Sequence, residues 1–227
     1  MKPTALPHFL SFNAGYVDTA GFLALHGLFT AHVTGNFVTL GAALVLGTSG
    51  AVAKLLALPV FCVVIIVTRR ASFHLPAAGL PVLRTMLALK FLLLALGALL
   101  AVRYGPFPNG DGAPLVITGM VLVAAMAIQN AVHRIHLASA PPTTLMTGTT
   151  TQMMIDLADL LRADLPADAR LAARARLSKM GTSVALFAAG CAAGALLFAA
   201  LGPWCFVPPP LLALPPLLIP ETSGASG

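Results

Sequence analysis

Charged side chains are scarce in this chain, at 9% of its 227 residues, against about 25% in a typical soluble domain. A soluble fold of this size needs a polar surface, which so few charges cannot provide. The hydrophobic share of 58% and the mean hydropathy of +0.92 point the same way. The composition therefore argues against a soluble enzyme and indicates an integral membrane protein whose apolar side chains face lipid.

Sequence motifs for metal binding and for nucleophilic or nucleotide chemistry are also missing. The cysteines Cys62, Cys191 and Cys205 form no CxxC pair and lie in apolar runs, which is typical of buried thiols. The GxSxG, P-loop and GxGxxG patterns are absent. We therefore predict no metal, no cofactor and no catalytic residues.

A nucleic-acid partner is disfavoured even though the net charge is +6. No basic cluster is interleaved with aromatic side chains, which make up only 7% of the chain. Basic residues near the ends of apolar runs are instead typical of membrane flanks. The predicted partners are the lipid bilayer and an unknown small solute or ion, and the sequence leaves a homo-oligomer open.

Apolar runs separated by Gly, Pro and charged residues divide the chain into eight hydrophobic segments and one connector. Six segments are predicted to span a bilayer, which takes about 20 residues: 7–28, 52–67, 82–102, 115–131, 181–201 and 204–219. The segments 37–46 and 143–161 are shorter or more polar, and each follows or contains a Thr-Gly pair. The charged stretch 162–179 is predicted to be an amphipathic connector, and the proline triplet at 208–210 leaves the last crossing open. We predict an all-α polytopic transmembrane bundle forming one membrane domain over 1–227, with six full spans plus two short interrupted segments, or alternatively eight full spans.

The two halves of the chain, 7–103 and 113–220, repeat the same order of features. Asp18 lies sixteen residues before the Thr-Gly-Asn turn at 34–36, and Asn130 lies seventeen residues before the Thr-Gly-Thr turn at 147–149. Each turn is followed by a short segment, a connector and two further spans. Four elements that recur in order favour a duplication over chance similarity.

The distribution of Lys and Arg favours a topology in which each Thr-Gly segment enters and leaves the membrane on one side. The cytoplasmic side then carries most of the basic residues, namely Arg69, Arg70, Arg84, Arg134 and the group within 162–179. Only Lys54 and Arg103 fall outside, as the positive-inside rule prefers. Each half then crosses three times, so the two repeats are inverted.

Three sequence blocks resemble a known family. They are GYVDTAG at 15–21, FTAHVTGN at 29–36 and MTGT at 146–149. They resemble the YoaK-like family, which consists of bacterial polytopic inner-membrane proteins that carry a domain of unknown function. The resemblance covers about residues 7–219 and implies a multi-pass protein of the bacterial plasma membrane, but it supplies no substrate. The second half departs from the pattern at 133–136 and 141–142.

Asp18 is the sharpest candidate for a functional residue. An ionisable group inside a transmembrane helix costs at least about 2.5 kcal/mol on insertion scales and usually serves a partner, a substrate or a proton. The alternative is a structural role, in which Asp18 hydrogen-bonds neighbouring Thr or Asn side chains.

The two Thr-Gly turns are the second set of candidates, namely Thr34, Gly35 and Asn36, and Thr147, Gly148 and Thr149. In hydrocarbon, irregular backbone must be buried in protein or line a wet cavity. Interrupted segments in matching positions of two halves indicate a transporter-type binding site. The alternatives are close helix packing by Thr and Gly, or a helix cap at Asn36.

Three further polar side chains join the predicted substrate-binding set. Gln129 and Asn130 end a long apolar run and match Asp18 in the repeat, although they could simply cap a helix. Gln152 lies one helical turn before Asp156 on the same face. Together these residues predict a small-solute or ion transporter or channel. The alternatives are a membrane-embedded enzyme acting on a lipid or quinone, and a non-catalytic scaffold.

Overall fold

The computed structural model of the protein describes residues 5–144 and 146–217. Eight α-helices run through them: α1 Leu6–Ala24, α2 Asn36–Leu46, α3 Ala51–His74, α4 Val82–Tyr104, α5 Ala113–His136, α6 Met146–Leu160, α7 Ala167–Leu201 and α8 Pro208–Leu217. The described part of the chain contains no β-strand, which confirms the predicted all-α class. Positions 218–220, where the predicted last span and second repeat end, lie outside the described residues.

Four of the described helices are long and apolar enough to cross a membrane. They are α3, α4, α5 and α7, the last counted together with the short 3-10 turn that follows it. Helix α1, with 19 residues, is not among them. Its sequence is less apolar because the bundle surrounds it, and its buried side chains include Ser11, Asn13 and Asp18. The number of full spans therefore remains a prediction.

Two helix boundaries differ from those predicted. From Ala167 onward, the predicted connector 162–179 and the span after it form one helix of 35 residues, α7, which begins directly after Pro166. The Ala, Arg, Leu and Lys residues of this helix are good helix formers, and no proline follows Pro166 before Pro203. The proline triplet begins α8. Proline is tolerated there because the N–H groups of the first helical turn have no acceptor within the helix, so a missing N–H group breaks no hydrogen bond.

Three helix pairs organise the bundle: α1 packs along α7, and both α4 and α3 pack along α5. Glycines permit the first pairing. A Cβ atom on Gly15 would overlap the carbonyl oxygen of Phe187, and one on Gly190 would overlap that of Phe12. Small residues at such a crossing let two backbones approach closely. Helix α4 packs against α5 and α8, and α8 also contacts α1.

The chain turns back into the bundle after α1. Leu28 lies against Gly119 in the second turn of α5, and Thr30 lies against Gly21. Helix α2 then starts inside the bundle, and its far end leads to Gly50, which lies beside His26. The first Thr-Gly segment therefore returns to the end of the bundle from which it entered.

The second Thr-Gly segment behaves in the same way at the other end. Thr144 donates a hydrogen bond from Oγ1 to Oδ1 of Asn130 (2.7 Å), so α6 begins beside α5 inside the bundle. Helix α6 then runs antiparallel to α7, with Asp156 bound to Arg176. It ends where Arg170 donates to the carbonyl of Leu160 (3.1 Å).

Basic residues gather at one end of the bundle, which we call the basic end. Arg69 and Arg134 line one cavity there. One helical turn further along, Leu137 shares a second cavity with His8 and Lys179. This end therefore contains the start of α1, the end of α5 and the charged part of α7.

The opposite end is held together by the loops that contain His26 and Asp111. The ring of His26 hydrogen-bonds the carbonyl of Phe107 (2.8 Å). The Asp111 carboxylate accepts from the N–H groups of Val52 (2.9 Å) and Gly50 (3.1 Å) at the start of α3. These two hydrogen bonds hold the pKa of Asp111 below its usual value.

Candidate functional site

Asp18 fixes the point at which the first polar loop meets α1. Its Oδ1 accepts from the backbone N–H groups of Thr30 and Ala31, both at 2.7 Å, and from Thr30 Oγ1 at 3.3 Å. Its Oδ2 lies 2.7 Å from Nδ1 of His32. The Asp18 side chain is only 5% exposed. One carboxylate therefore satisfies buried backbone donors that hydrocarbon could not satisfy.

Asn36 closes the turn that carries Thr34 and Gly35. Its Oδ1 accepts from the N–H of Phe29 (2.9 Å), and its Nδ2 donates to the carbonyl of the same residue (2.8 Å). Asn36 is buried, and a Cβ atom on Gly35 would lie 3.0 Å from the Phe29 ring. Asn36 and Gly35 thus fix the shape of the turn, and Thr34 lines the cavities on either side of the turn.

A cavity of about 680 Å³ lies between α3, α5 and this turn. Its polar lining comes from His32, Thr34, Asn130, Arg69 and Arg134. Its remaining walls are apolar: Ala31, Val33, Leu58, Phe61, Ile65, Ala131 and Ile135. We call it the arginine cavity, because its two charged side chains at the basic end are both arginines.

A second cavity, of about 550 Å³, lies on the other side of the turn, between α1 and α7. It is lined by Asp18, Thr19, Phe22, Leu23, Phe29, His32, Thr34, Gly35, Phe187 and Cys191. We call it the aspartate cavity. His32 and Thr34 line both cavities, so the first Thr-Gly turn separates them.

The residues predicted at the end of α5 divide between two roles. Gln129 is fully buried; its Oε1 accepts from Lys90 Nζ (2.6 Å), and its Nε2 donates to the carbonyl of Leu10 (2.9 Å). Gln129 therefore ties α1, α4 and α5 together. Asn130 accepts from Thr144 and donates to the carbonyl of Met126, and it also lines the arginine cavity.

The second Thr-Gly turn lies apart from these two cavities. Thr147 and Gly148 are exposed, and Thr147 lines a shallow groove on the outer face of α6. Thr149 is buried. The Gln152 side chain donates to Asp156 (3.1 Å), which also binds Arg176. The structure thus brings Asp18, Thr34, Gly35 and Asn130 to the cavities around the first turn, and it places 147–152 elsewhere.

Metal ligands do not converge in the part of the chain that the structure describes. Among residues 5–144 and 146–217, no group of three or more His, Cys, Asp or Glu side chains could hold a metal ion. His26, which could have extended the Asp18–His32 pair, instead bonds Phe107 and Ser49. The chemistry available at the site is hydrogen bonding and charge.

A family model described as "Protein of unknown function (DUF1275)" matches residues 6–219. The chain belongs to this family. The match confirms the resemblance predicted from the blocks at 15–21, 29–36 and 146–149. No curated protein and no solved structure matches the chain. The DUF1275 assignment thus agrees with a helical membrane protein. Since the function of the family is unknown, the activity has to be inferred from the candidate site.

Three side chains of this DUF1275 protein matter more than the sequence indicated. The sequence pattern indicated only a topological role for Arg69 and Arg134, and the predicted site did not include His32. The sequence did contain a clue to the arginines, because the favoured topology places both of them on the cytoplasmic side, each after an apolar segment. The packing of α3 against α5, which brings the two arginines to one cavity, is a tertiary property that hydropathy patterns do not reveal.

Lys90 in the DUF1275 chain is buried rather than extended to the membrane surface. It is 1% exposed, and its ammonium group donates to Gln129 inside the bundle. The carbonyl oxygen of the nearby Asn13 side chain is buried without a hydrogen-bond partner. Asn13 and Lys90 line the same narrow gap beside α8. The polar interior of the bundle thus extends beyond the Thr-Gly turn.

Proposed function

We propose that this protein is a transporter or channel that moves a small solute or ion across the bacterial plasma membrane. The observation that carries the proposal is the pair of cavities that meet at His32 and Thr34. Irregular backbone at membrane depth is tolerated where it is buried or lines a cavity, and such breaks form the substrate sites of known transporters.

The two cavities extend in different directions from the turn. The arginine cavity reaches Arg69 and Arg134 at the basic end. The aspartate cavity reaches Phe22 and Leu23, close to the end of α1 at the opposite end of the bundle. A solute passing between them must cross the short barrier formed by His32 and Thr34.

An inverted duplication fits the way in which the helices pair. Exchanging α1 with α5, α2 with α6, α3 with α7 and α4 with α8 converts the pair α1–α7 into α5–α3. The same exchange converts α2–α3 into α6–α7, and α4–α5 into α8–α1. Each half then has three full spans and one segment that enters and leaves on one side, which gives six full spans.

A catalytic role receives less support from the site. An enzyme acting on a lipid or quinone would need clustered acid–base groups within reach of the substrate. Here Asp18 is occupied by two backbone N–H groups and His32, and His26 belongs to a separate loop contact. We therefore propose a non-enzymatic function.

Blocking the barrier between the two cavities should stop solute flux. Osmotic swelling of proteoliposomes, followed by light scattering, measures the net flux of a neutral solute, and that of an anion when valinomycin lets potassium accompany it. Potassium chloride, acetate and phosphate are compared with glycerol and urea. We expect wild-type vesicles to swell faster than empty vesicles for at least one solute, and Thr34→Trp to return that rate to the empty-vesicle level, because an indole fills the space beside His32.

The matched control is Thr182→Trp. Thr182 is exposed on α7, and its hydroxyl donates to the carbonyl of Ser178 within its own helix (2.9 Å). The control should retain wild-type flux, and both variants should elute as monodisperse protein in detergent. Wild-type flux no faster than in empty vesicles for every solute, or equal flux through Thr34→Trp and wild type, would remove the support for transport.

The proposed topology predicts which loops a membrane-impermeant maleimide reaches in intact cells. In a background with the three native cysteines replaced by serine, we expect Thr48→Cys to be labelled from outside. Ser139→Cys should be labelled only after the cells are permeabilised. Both positions are exposed in loops at opposite ends of the bundle. Labelling of Ser139→Cys in intact cells would contradict a cytoplasmic basic end.

A further inference from the structure

We infer that the arginine cavity binds an amphipathic anion, with its carboxylate or phosphate head at Arg69 and Arg134 and its hydrocarbon body along the apolar walls. The inference deepens the proposed function, since it names the ligand class of the same cavity. It concerns binding, however, and can be tested without measuring transport.

The two guanidinium groups are available to a ligand. The ion pairs of the described residues join Asp18 to His32, Arg162 to Asp164 and Arg176 to Asp156. Neither Arg69 nor Arg134 takes part in them, and both residues are exposed at the mouth of the cavity. The Arg69 guanidinium lies 4.3 Å above the Phe73 ring, which holds its position and leaves its N–H donors open.

The charge of the cavity favours an anion. Its lining contains two arginines and His32 and no carboxylate. The nearest carboxylate in the site, Asp18, lies behind His32 and is occupied by it and by two backbone N–H groups. Paired arginines match the planar oxygens of carboxylate and phosphate groups, with which they form charge-assisted hydrogen bonds.

The walls of the cavity favour a ligand with an apolar body. Leu58, Phe61 and Ile65 line it below Arg69 on α3. Leu58 and Arg69 are eleven positions apart on α3, which is about 16 Å along the helix at about 1.5 Å per residue. A small inorganic anion would leave this apolar length unfilled, whereas a medium-chain acyl group would cover it.

The location of the arginines gives the ligand its orientation. Arg134 lies in the last turn of α5, and Arg69 lies five residues before the end of α3, both at the basic end. Basic pockets between helices at the cytoplasmic membrane surface bind anionic headgroups. A free medium-chain carboxylate and an anionic phospholipid share this chemistry, and the experiment must distinguish the two sources.

The test measures binding to the full-length protein in a neutral detergent. Radiolabelled decanoate is titrated against wild type, the double variant Arg69→Gln/Arg134→Gln and the control Arg70→Gln. Arg70 is the exposed neighbour of Arg69 and does not line the cavity. We expect the double variant to bind at least about tenfold more weakly, because it loses both of the guanidinium groups that form charge-assisted hydrogen bonds with the anion. The control should bind like wild type, and Arg69→Lys/Arg134→Lys should recover part of the affinity.

Competition then identifies the source of the anion. Displacement of decanoate by phosphatidylglycerol but not by phosphatidylcholine assigns the cavity to a lipid headgroup. Failure of phosphatidylglycerol to displace it assigns the cavity to a free organic anion. Decanol tests the charge requirement and should compete poorly.

Three results would overturn the inference: no binding of either anion, equal competition by decanol and decanoate, or equal affinity of the double variant and Arg70→Gln. Its failure is distinguishable from failure of the proposed function. Flux that Thr34→Trp blocks, without arginine-dependent binding, rejects only the anionic ligand. Arginine-dependent binding in a protein that carries no flux rejects only transport.

Discussion

Asp18→Ala should strongly lower the thermal stability of the protein. The substitution removes the acceptor of the Thr30 and Ala31 N–H groups, and both of these residues are buried in the bundle. Each unsatisfied buried donor costs about 1–3 kcal/mol, so the expected loss is about 2–6 kcal/mol. Thermal unfolding of the purified protein in detergent, followed by circular dichroism, measures it.

Two controls separate this effect from a general loss of charge. Asp111→Ala removes a carboxylate that also accepts from two backbone N–H groups, but in an exposed loop where water substitutes for it. It should therefore cost much less. Asp18→Asn retains an acceptor oxygen, and His32 can accept from the new amide, so most of the stability should remain. Equal unfolding temperatures for Asp18→Ala and Asp111→Ala would contradict the role assigned to Asp18.

Asp18 also illustrates what the sequence could predict. A carboxylate within an apolar helix is so costly that its importance follows from its position alone. The structural and functional interpretations of this residue are compatible, because Asp18 both anchors the loop and lines a cavity. Likewise, the short apolar run at 37–46 predicted a short helix, and α2 has only 11 residues.

The sequence could not predict which polar groups share a cavity. Thr147 and Thr34 occupy matching places in the predicted repeat, yet Thr147 is exposed on α6 and Thr34 lines two cavities. Their difference depends on how α6 packs against α7 and α2 against α3, and helix pairing is decided by side-chain shape across long separations. Arg69 and Arg134 line one cavity for the same reason, although 65 positions separate them in the sequence.

The length of α7 shows a limit of hydropathy as a guide to helix boundaries. A change from charged to apolar composition near residue 180 predicted two elements, and the backbone continues through it as one helix. Hydropathy indicates whether a segment faces water or lipid, whereas the continuity of a helix depends on the absence of residues such as proline that interrupt it. The part of α7 that contains Arg170 and Arg176 packs against α6 at the basic end, while the part around Gly190 packs against α1.

The closest helix crossing in the bundle should tolerate no added methyl group. In Gly190→Ala, the new Cβ atom would overlap the Phe12 carbonyl oxygen and approach the backbone nitrogen of Tyr16. Backbone atoms of α1 cannot rotate away as a side chain can, so α1 and α7 must separate. Overpacking a core usually costs about 1–3 kcal/mol, and a clash with backbone should reach the upper part of that range.

Gly41→Ala provides the matched control. Gly41 is also helical, but nothing lies within 4 Å of its added Cβ atom. Replacing a helical glycine with alanine in open space stabilises a protein by about 0.4–1 kcal/mol, so the two variants should shift the unfolding temperature in opposite directions. Gly190→Ala should also reduce flux, because the same crossing sets Phe187 and Cys191 opposite Asp18 across the aspartate cavity. If Gly190→Ala unfolded at the same temperature as Gly41→Ala, the α1–α7 crossing could not be as close as described, and the cavity beside it would lose its fixed wall.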